Sequence, residues 1–227
     1  MRGEGGRKEV AQLAWPLAVG MLSFTVMGVT DMILMGRVGT AAQAGVGLGV
    51  TLVFLVAAFF RGVTSGAQSL VAAADGAGDL RRVLRAAGAA LVIGLVAGVL
   101  AAGAGVVMAL FGLDFITDDP GVRDAARDYI SIRALALPLS MVSFGIMSVL
   151  QGLGDTRIRM WASIAGNATN IVLDFVLIFG LGPIPAMGAA GAALATVAGI
   201  LVMLVMYAWR FRRVVGLPER PTPEVLK

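Results

Sequence analysis

Gly166-Asn167-Ala168-Thr169-Asn170-Ile171-Val172-Leu173-Asp174-Phe175-Val176-Leu177-Ile178-Phe179-Gly180 is the stretch on which the reading of this chain turns. Asn167, Asn170 and Asp174 follow i, i+3, i+7 spacing, so a helix projects all three from one side. The residues around them are those a lipid-facing helix uses. An ionised Asp near the middle of a bilayer costs roughly 2.5–3.5 kcal/mol on insertion scales. Such a residue needs a partner, a water-filled cavity or a proton, which makes the stripe a candidate ion- or proton-handling site.

The rest of the chain provides the bilayer that this reading requires. Of its 227 residues 58% are hydrophobic and 14% charged, with a mean hydropathy of +0.89. Soluble domains sit near about 45–50% apolar and about 25% charged. The sequence therefore predicts an all-α integral membrane protein. Its 31 glycines suit helices that pack closely in lipid. The absence of cysteine excludes disulfides and thiolate metal sites, and the absence of histidine leaves the carboxylates as proton carriers. No nucleophile–base arrangement, metal-ligand cluster, P-loop or dinucleotide fingerprint occurs. The composition thus points away from an enzyme and calls for no cofactor.

Six apolar segments can be drawn, at about 12–36, 43–73, 84–112, 124–150, 159–181 and 187–210, each close to the roughly 20 residues a crossing needs. They lack the strict alternation of barrel strands. Basic residues set the orientation. With the N-terminus inside, the cytoplasmic side receives Arg2, Arg7, Lys8, Arg81, Arg82, Arg85, Arg157, Arg159, Arg210, Arg212, Arg213, Arg220 and Lys227. The outer side receives Arg37, Arg123 and Arg127, offset by Asp114, Asp118, Asp119, Asp124 and Asp128. This places both termini in the cytoplasm and accounts for the net charge of +4 without a nucleic-acid partner. The expected organisation is a cytoplasmic segment at 1–11, a six-helix membrane lobe at 12–213 and a Pro-rich cytoplasmic tail or inter-lobe linker at 214–227.

Counting the helical rise places Asp31 roughly 28 Å and Asp174 roughly 22 Å above the inner boundary, with Thr196 roughly 14 Å below the outer one. If their helices face one another, Asp31, Asn170, Asp174 and Thr196 form an oxygen-rich pocket for H⁺ or Na⁺. Two nearby carboxylates cannot both ionise cheaply, and a proton or Na⁺ between them relieves the repulsion. Asn167 reads equally as site support or as an inter-helix amide contact. Arg61 reads as snorkelling toward the inner face. Asp155-Thr156 reads as a loop followed by a helix N-cap. Gly45 with Gly49, Gly62 with Gly66, and Gly94 with Gly98 match the small-residue packing pattern.

Four segments carry a resemblance that covers nearly the whole chain: Asp31 to Gly39, Gln151-Gly152-Leu153-Gly154-Asp155-Thr156, Asn167 to Gly180, and Gly188-Ala189-Ala190-Gly191-Ala192-Ala193-Leu194-Ala195-Thr196. In this order they resemble the multidrug and toxic compound extrusion (MATE) transporters. The resemblance implies a six-transmembrane-helix bundle equivalent to the N-terminal lobe of such an exporter. It implies antiport of cationic or amphipathic organic compounds, as small-molecule substrates, against H⁺ or Na⁺ across the cell inner (plasma) membrane. It assigns the cation or proton site to Asp31, Asn170, Asp174 and Thr196. Met27 stands where some members carry a tyrosine one turn before the first Asp, and Asn167, Met27 and Gln151 are expected as substrate contacts or site support. Members have two such lobes where this chain supplies one. The expected partner is a second six-helix lobe, either another copy in a C₂ homodimer or a separate chain. A lobe that does not transport alone and a lipid-linked oligosaccharide flippase are the competing readings.

Overall fold

The structure, a computed structural model, describes residues 7–215. Arg2, Arg220, Lys227 and nearly all of the expected tail at 214–227 lie outside the described residues. Seven α-helices follow one another: α1 (Arg7–Val38), α2 (Thr40–Gly76), α3 (Leu80–Val107), α4 (Pro120–Leu135), α5 (Leu137–Gly152), α6 (Arg157–Phe179) and α7 (Gly188–Val214). Helices α1, α2, α3, α6 and α7 are long and apolar enough to cross a membrane. Helices α4 and α5 make one further crossing, broken at Ala136 and bent by 52°. The six expected crossings are thus present, and the chain is an all-α, multi-pass membrane protein.

The break in the fourth crossing departs from the continuous segment expected at 124–150. Pro138 explains it: proline lacks the amide proton that would continue α4 and disfavours helical geometry at Leu137. Pro16, by contrast, lies within α1 without ending it. The third crossing closes in a π-helical turn, Met108–Gly112, followed by a 3₁₀ turn at Leu113–Phe115. The Arg127 Nε donates to the Ala109 carbonyl in that π turn at 3.1 Å. Asp114 pairs with Arg123 at 3.2 Å and with Arg127 at 3.8 Å. Asp119 caps α4 by accepting from the Gly121 and Val122 amides. The outer charges are therefore consumed in fastening that end of the bundle.

Close helix crossings are built on glycine. Gly45 and Gly49 of α2 face Val122, Ala125 and Tyr129 of α4, and Gly94 and Gly98 of α3 face Met141 and Pro138 of α5. At Gly66 an added Cβ would meet open space, so the packing pattern there is coincidental. A third close pairing joins α6 to α7. A Cβ at Gly199 would lie 2.6 Å from the Gly166 carbonyl oxygen, and one at Gly191 would lie 2.6 Å from the Leu177 carbonyl. Gly180 ends α6 with φ +76°, the left-handed geometry glycine adopts without strain, and the chain turns directly into α7. At the inner end Asp155 accepts from the Ile158 amide and pairs with Arg210 of α7. The expected cap of α6 is therefore made by Asp155 rather than Thr156.

The outward faces carry large apolar side chains such as Leu22, Leu55, Phe59, Trp161 and Val205, all exposed as a lipid-facing surface requires. Overpacking the α6–α7 crossing should cost about 1–3 kcal/mol, and a chain of this size loses about 2–4 °C of Tm per kcal/mol. Gly199→Leu is expected to lower the melting temperature in detergent accordingly, while Gly66→Leu leaves it unchanged; differential scanning fluorimetry measures both.

Candidate functional site

The site is set by the α6–α7 pair. Heptad-like spacing on α6 places Asn167, Asn170 and Asp174 on its buried face, and all three are buried. Close approach at Gly166 and Gly199 brings α7 near enough for the Asn170 Nδ2 to reach Thr196 Oγ1 at 3.5 Å. The Thr196 hydroxyl itself donates to the Ala192 carbonyl at 2.9 Å, one turn back. Its lone pairs are thereby left facing the pocket. On the opposite wall α1 contributes Asp31, 6% exposed, whose carboxyl lies within hydrogen-bonding reach of that of Asp174, 0% exposed. Asn170 stands beside Asp174 as well.

The structure thus brings together Asp31, Asn170, Asp174 and Thr196 as the spacing suggested. What distinguishes the group is its lack of donors. Asp31 Oδ1, both oxygens of Asp174 and Asn170 Oδ1 are buried without a hydrogen-bond partner. Buried polar atoms are ordinarily satisfied, and an unmet carboxylate carries a large desolvation penalty. A single proton between the two carboxyls, or one small hard cation coordinated by these oxygens, would meet the deficit.

The other sequence candidates separate. Asn167 lies one turn inward of Asn170 and donates to Ser23 Oγ of α1, which ties α1 to α6 just below the pocket. Met27, half-buried one turn before Asp31 on α1, offers a thioether where an oxygen was at issue. Gln151 occupies the last turn of α5, just before the inner end of α6. Asp174 stands about 25 Å further out along α6 by helical rise, so Gln151 does not line this pocket. Arg61 does not simply extend to water: its guanidinium stacks over Phe144, 3.9 Å from the ring centroid.

Two residues of α4 join the site without having been singled out. Tyr129 is 4% exposed, and its hydroxyl lies within hydrogen-bonding reach of Thr196 and of Arg133 one turn further along. Arg133 in turn bears electrostatically on Asp31. The signal was available in the helical count. Thirteen residues from Pro120 at about 1.5 Å each put Arg133 about 20 Å into the membrane, where an arginine is costly. Outward of the pocket, Leu34, Met35, Val46, Ile178, Ala189, Ala192 and Ala193 pack with Tyr129 into one buried cluster that closes the outer side.

This geometry sets six crossings around a buried carboxylate–amide–hydroxyl group in an all-α membrane lobe, and comparison with known proteins agrees with that fold. The MatE family model matches residues 16–176. The chain is 31% identical to the multidrug resistance protein NorM of Burkholderia vietnamiensis over 224 residues, covering 95% of this chain and 48% of that protein. It is 29% identical to protein DETOXIFICATION 44, chloroplastic, of Arabidopsis thaliana, covering 92% of this chain and 42% of that one. A crystal structure of MATE in complex with MaD5 superposes with a TM-score of 0.81 at 24% identity, over 97% of this chain and 51% of the other. The chain belongs to the MatE family, whose members are transporters and not enzymes. It spans about half the length of the curated relatives it matches.

If the donor deficit is real, removing one charge should stabilise the ion-free protein. Asp174→Asn supplies an amide donor to Asp31 and is expected to gain about 1 kcal/mol, or about 2–4 °C in Tm. Thermal unfolding in Na⁺-free buffer at neutral pH checks this, and a fall in Tm would mean the pair is already satisfied.

Proposed function

We propose that this chain is one lobe of a secondary antiporter that exports cationic or amphipathic organic compounds in exchange for H⁺ or Na⁺. The observation that carries the reading is the donor-free oxygen set of Asp31, Asp174 and Asn170, buried beside the Thr196 hydroxyl. Carboxylates left unmet in a membrane interior are tolerated where binding a cation is their task. H⁺ or Na⁺ removes one of the pair's two charges, relieves the repulsion between α1 and α6, and so changes the packing on which substrate contacts depend. Coupling follows only if the cation binds one conformation of the lobe more tightly than the other; equal affinity would shift nothing.

The half-length match to the relatives supports a partner lobe, supplied by a second copy in a C₂ dimer or by a separate chain. The relatives are named for multidrug resistance and detoxification, which favours organic substrates over lipid-linked sugars. A flippase for pyrophosphate-linked oligosaccharides would want a cationic cavity at this depth, and the paired carboxylates oppose that. The basic inner ends of α3, α6 and α7 favour the cell inner membrane with both termini cytoplasmic.

Asp31→Asn and Asp174→Asn are each expected to abolish ion-driven export of a cationic dye from proteoliposomes without preventing membrane insertion. Wild-type flux in both variants would sink the proposal. The mass of the purified protein in nanodiscs, corrected for lipid, separates the two assemblies: a stable dimer is expected for a transporter of identical lobes, a monomer for a lobe awaiting a different partner.

A further inference from the structure

We infer that the lipid-facing seam between α6 and α7, at the end where α6 starts and α7 finishes, is a docking site for an anionic phospholipid. Arg157, Arg212 and Arg213 hold its phosphate, and Trp161 and Trp209 flank the start of its acyl chains.

The two helices present the same pair of side chains at that end. On α6 exposed Arg157 comes one turn before exposed Trp161, and on α7 exposed Trp209 comes one turn before exposed Arg213. Gly191 opposite Leu177 and Gly199 opposite Gly166 show that the helices run antiparallel. Each tryptophan therefore stands one turn nearer the membrane centre than its arginine. The Asp155–Arg210 ion pair and the shared burial of Ile158 and Tyr207 set the two ends at one level. Because α1 packs against α6, and α4 and α5 against α7, both exposed faces are left on the lipid side. Val172 and Phe175 of α6 and Leu201 and Val205 of α7 continue those faces with exposed apolar side chains.

Charge and geometry name the occupant. Between Thr156 and Val215 five arginines stand against one acid, Asp174, which is buried in the bundle. Arg210 is taken by Asp155, whereas Arg157, Arg212 and Arg213 make no ion pair among the described residues. The Arg213 guanidinium lies over the Trp209 ring, 4.1 Å from its centroid. Stacking occupies the face of the guanidinium and leaves the N–H fork in its plane, the part that fits phosphate oxygens. Tryptophan rings settle at the boundary of headgroups and acyl chains, so an arginine one turn beyond each ring stands at phosphate depth. A soluble anion would use the guanidinium groups alone; the rings and the apolar faces suit a partner with acyl chains. The basic end of α3 lacks this arrangement. Arg82 there pairs with Asp79 at 3.2 Å, and no aromatic residue occurs between Leu80 and Leu110. Arg81 and Arg85 therefore attract anions only diffusely.

The full chain is purified in mild detergent and titrated with dioleoyl phosphatidylglycerol or dioleoyl phosphatidylcholine, and bound lipid is counted by native mass spectrometry. Wild type is expected to hold one phosphatidylglycerol about tenfold more tightly than phosphatidylcholine. Arg157→Gln combined with Arg213→Gln is expected to remove that preference, and Arg81→Gln combined with Arg85→Gln to preserve it. Trp209→Leu keeps every charge, and Arg213→Lys keeps the charge without the planar fork. Each is expected to weaken phosphatidylglycerol binding about threefold or more. Equal affinity for the two lipids, or an equal loss in the α3 variant, overturns the inference. So does unchanged affinity in both Trp209→Leu and Arg213→Lys, which leaves only diffuse attraction. Displacement of the bound lipid by inorganic phosphate would assign the arginines to a free anion and overturn the lipid reading.

Discussion

Two ionised carboxyl groups buried side by side in an apolar bundle repel each other, and in this lobe Asp31 Oδ1 and both oxygens of Asp174 are buried without a hydrogen-bond partner. Repulsion of this kind is weak in water and large where solvent cannot screen it. The helices around Asp31 and Asp174 must therefore hold the pair together against its own charge. Most of the tight packing in the lobe can be understood in that light. Glycine contacts lock α6 to α7 on either side of the pocket, at Gly166 with Gly199 and at Leu177 with Gly191. The Asn167–Ser23 hydrogen bond ties α1 to α6 on the inner side. Leu34, Met35 and Ile178 join α1 to α6 on the outer side.

The same packing covers the site on its outer side. Every residue of the buried cluster above it is apolar except for the Tyr129 hydroxyl, and three are alanines of α7. Small side chains let α7 sit close, and close packing excludes water more completely than bulky but ill-fitting groups would. Below the pocket the lining turns polar: Asn167, Ser23 and Ser163 on α1 and α6, with Tyr207 of α7 near Ser163.

Much of this was legible because membrane helices obey few rules. Spans follow from apolar length, and the face of α6 follows from the spacing of Asn167, Asn170 and Asp174. Those rules located the six crossings and placed Asp31, Asn170, Asp174 and Thr196 in the outer half of the bilayer. They did not reveal the break in the fourth crossing, although Pro138 marks it, because proline kinks and proline breaks look alike in a sequence: Pro16 sits in an unbroken α1. Missing the break hid what it positions. Tyr129 and Arg133 were not singled out in the sequence, and the packing of α4 against α7 is what turns Tyr129 into the bundle. Gln151 stands apart because its place in a family-like motif says nothing of depth, and the helical rise of α6 puts it about 25 Å from the level of Asp174. The glycine pairs divided likewise, since spacing marks where helices can approach and not where they do.

Three of the four pocket residues, Asn170, Asp174 and Thr196, stand on α6 and α7, whose backbones approach closely at Gly166 with Gly199 and at Leu177 with Gly191. The fourth, Asp31, stands on α1, which meets α7 sparsely and carries exposed apolar side chains, Met21, Leu22, Val26, Val29 and Ile33, along its other side. A site divided in this way is sensitive to charge in one direction. Repulsion between Asp31 and Asp174 acts across the α1–α6 contact, which the Asn167–Ser23 hydrogen bond holds on the inner side and Leu34, Met35 and Ile178 hold on the outer side. The exposed face of α1 is then where a change in the pocket would be felt by whatever packs there, whether lipid or a second lobe. Occupancy of a few buried oxygens can in that way alter the outer surface of the bundle without any of its helices losing their internal hydrogen bonds.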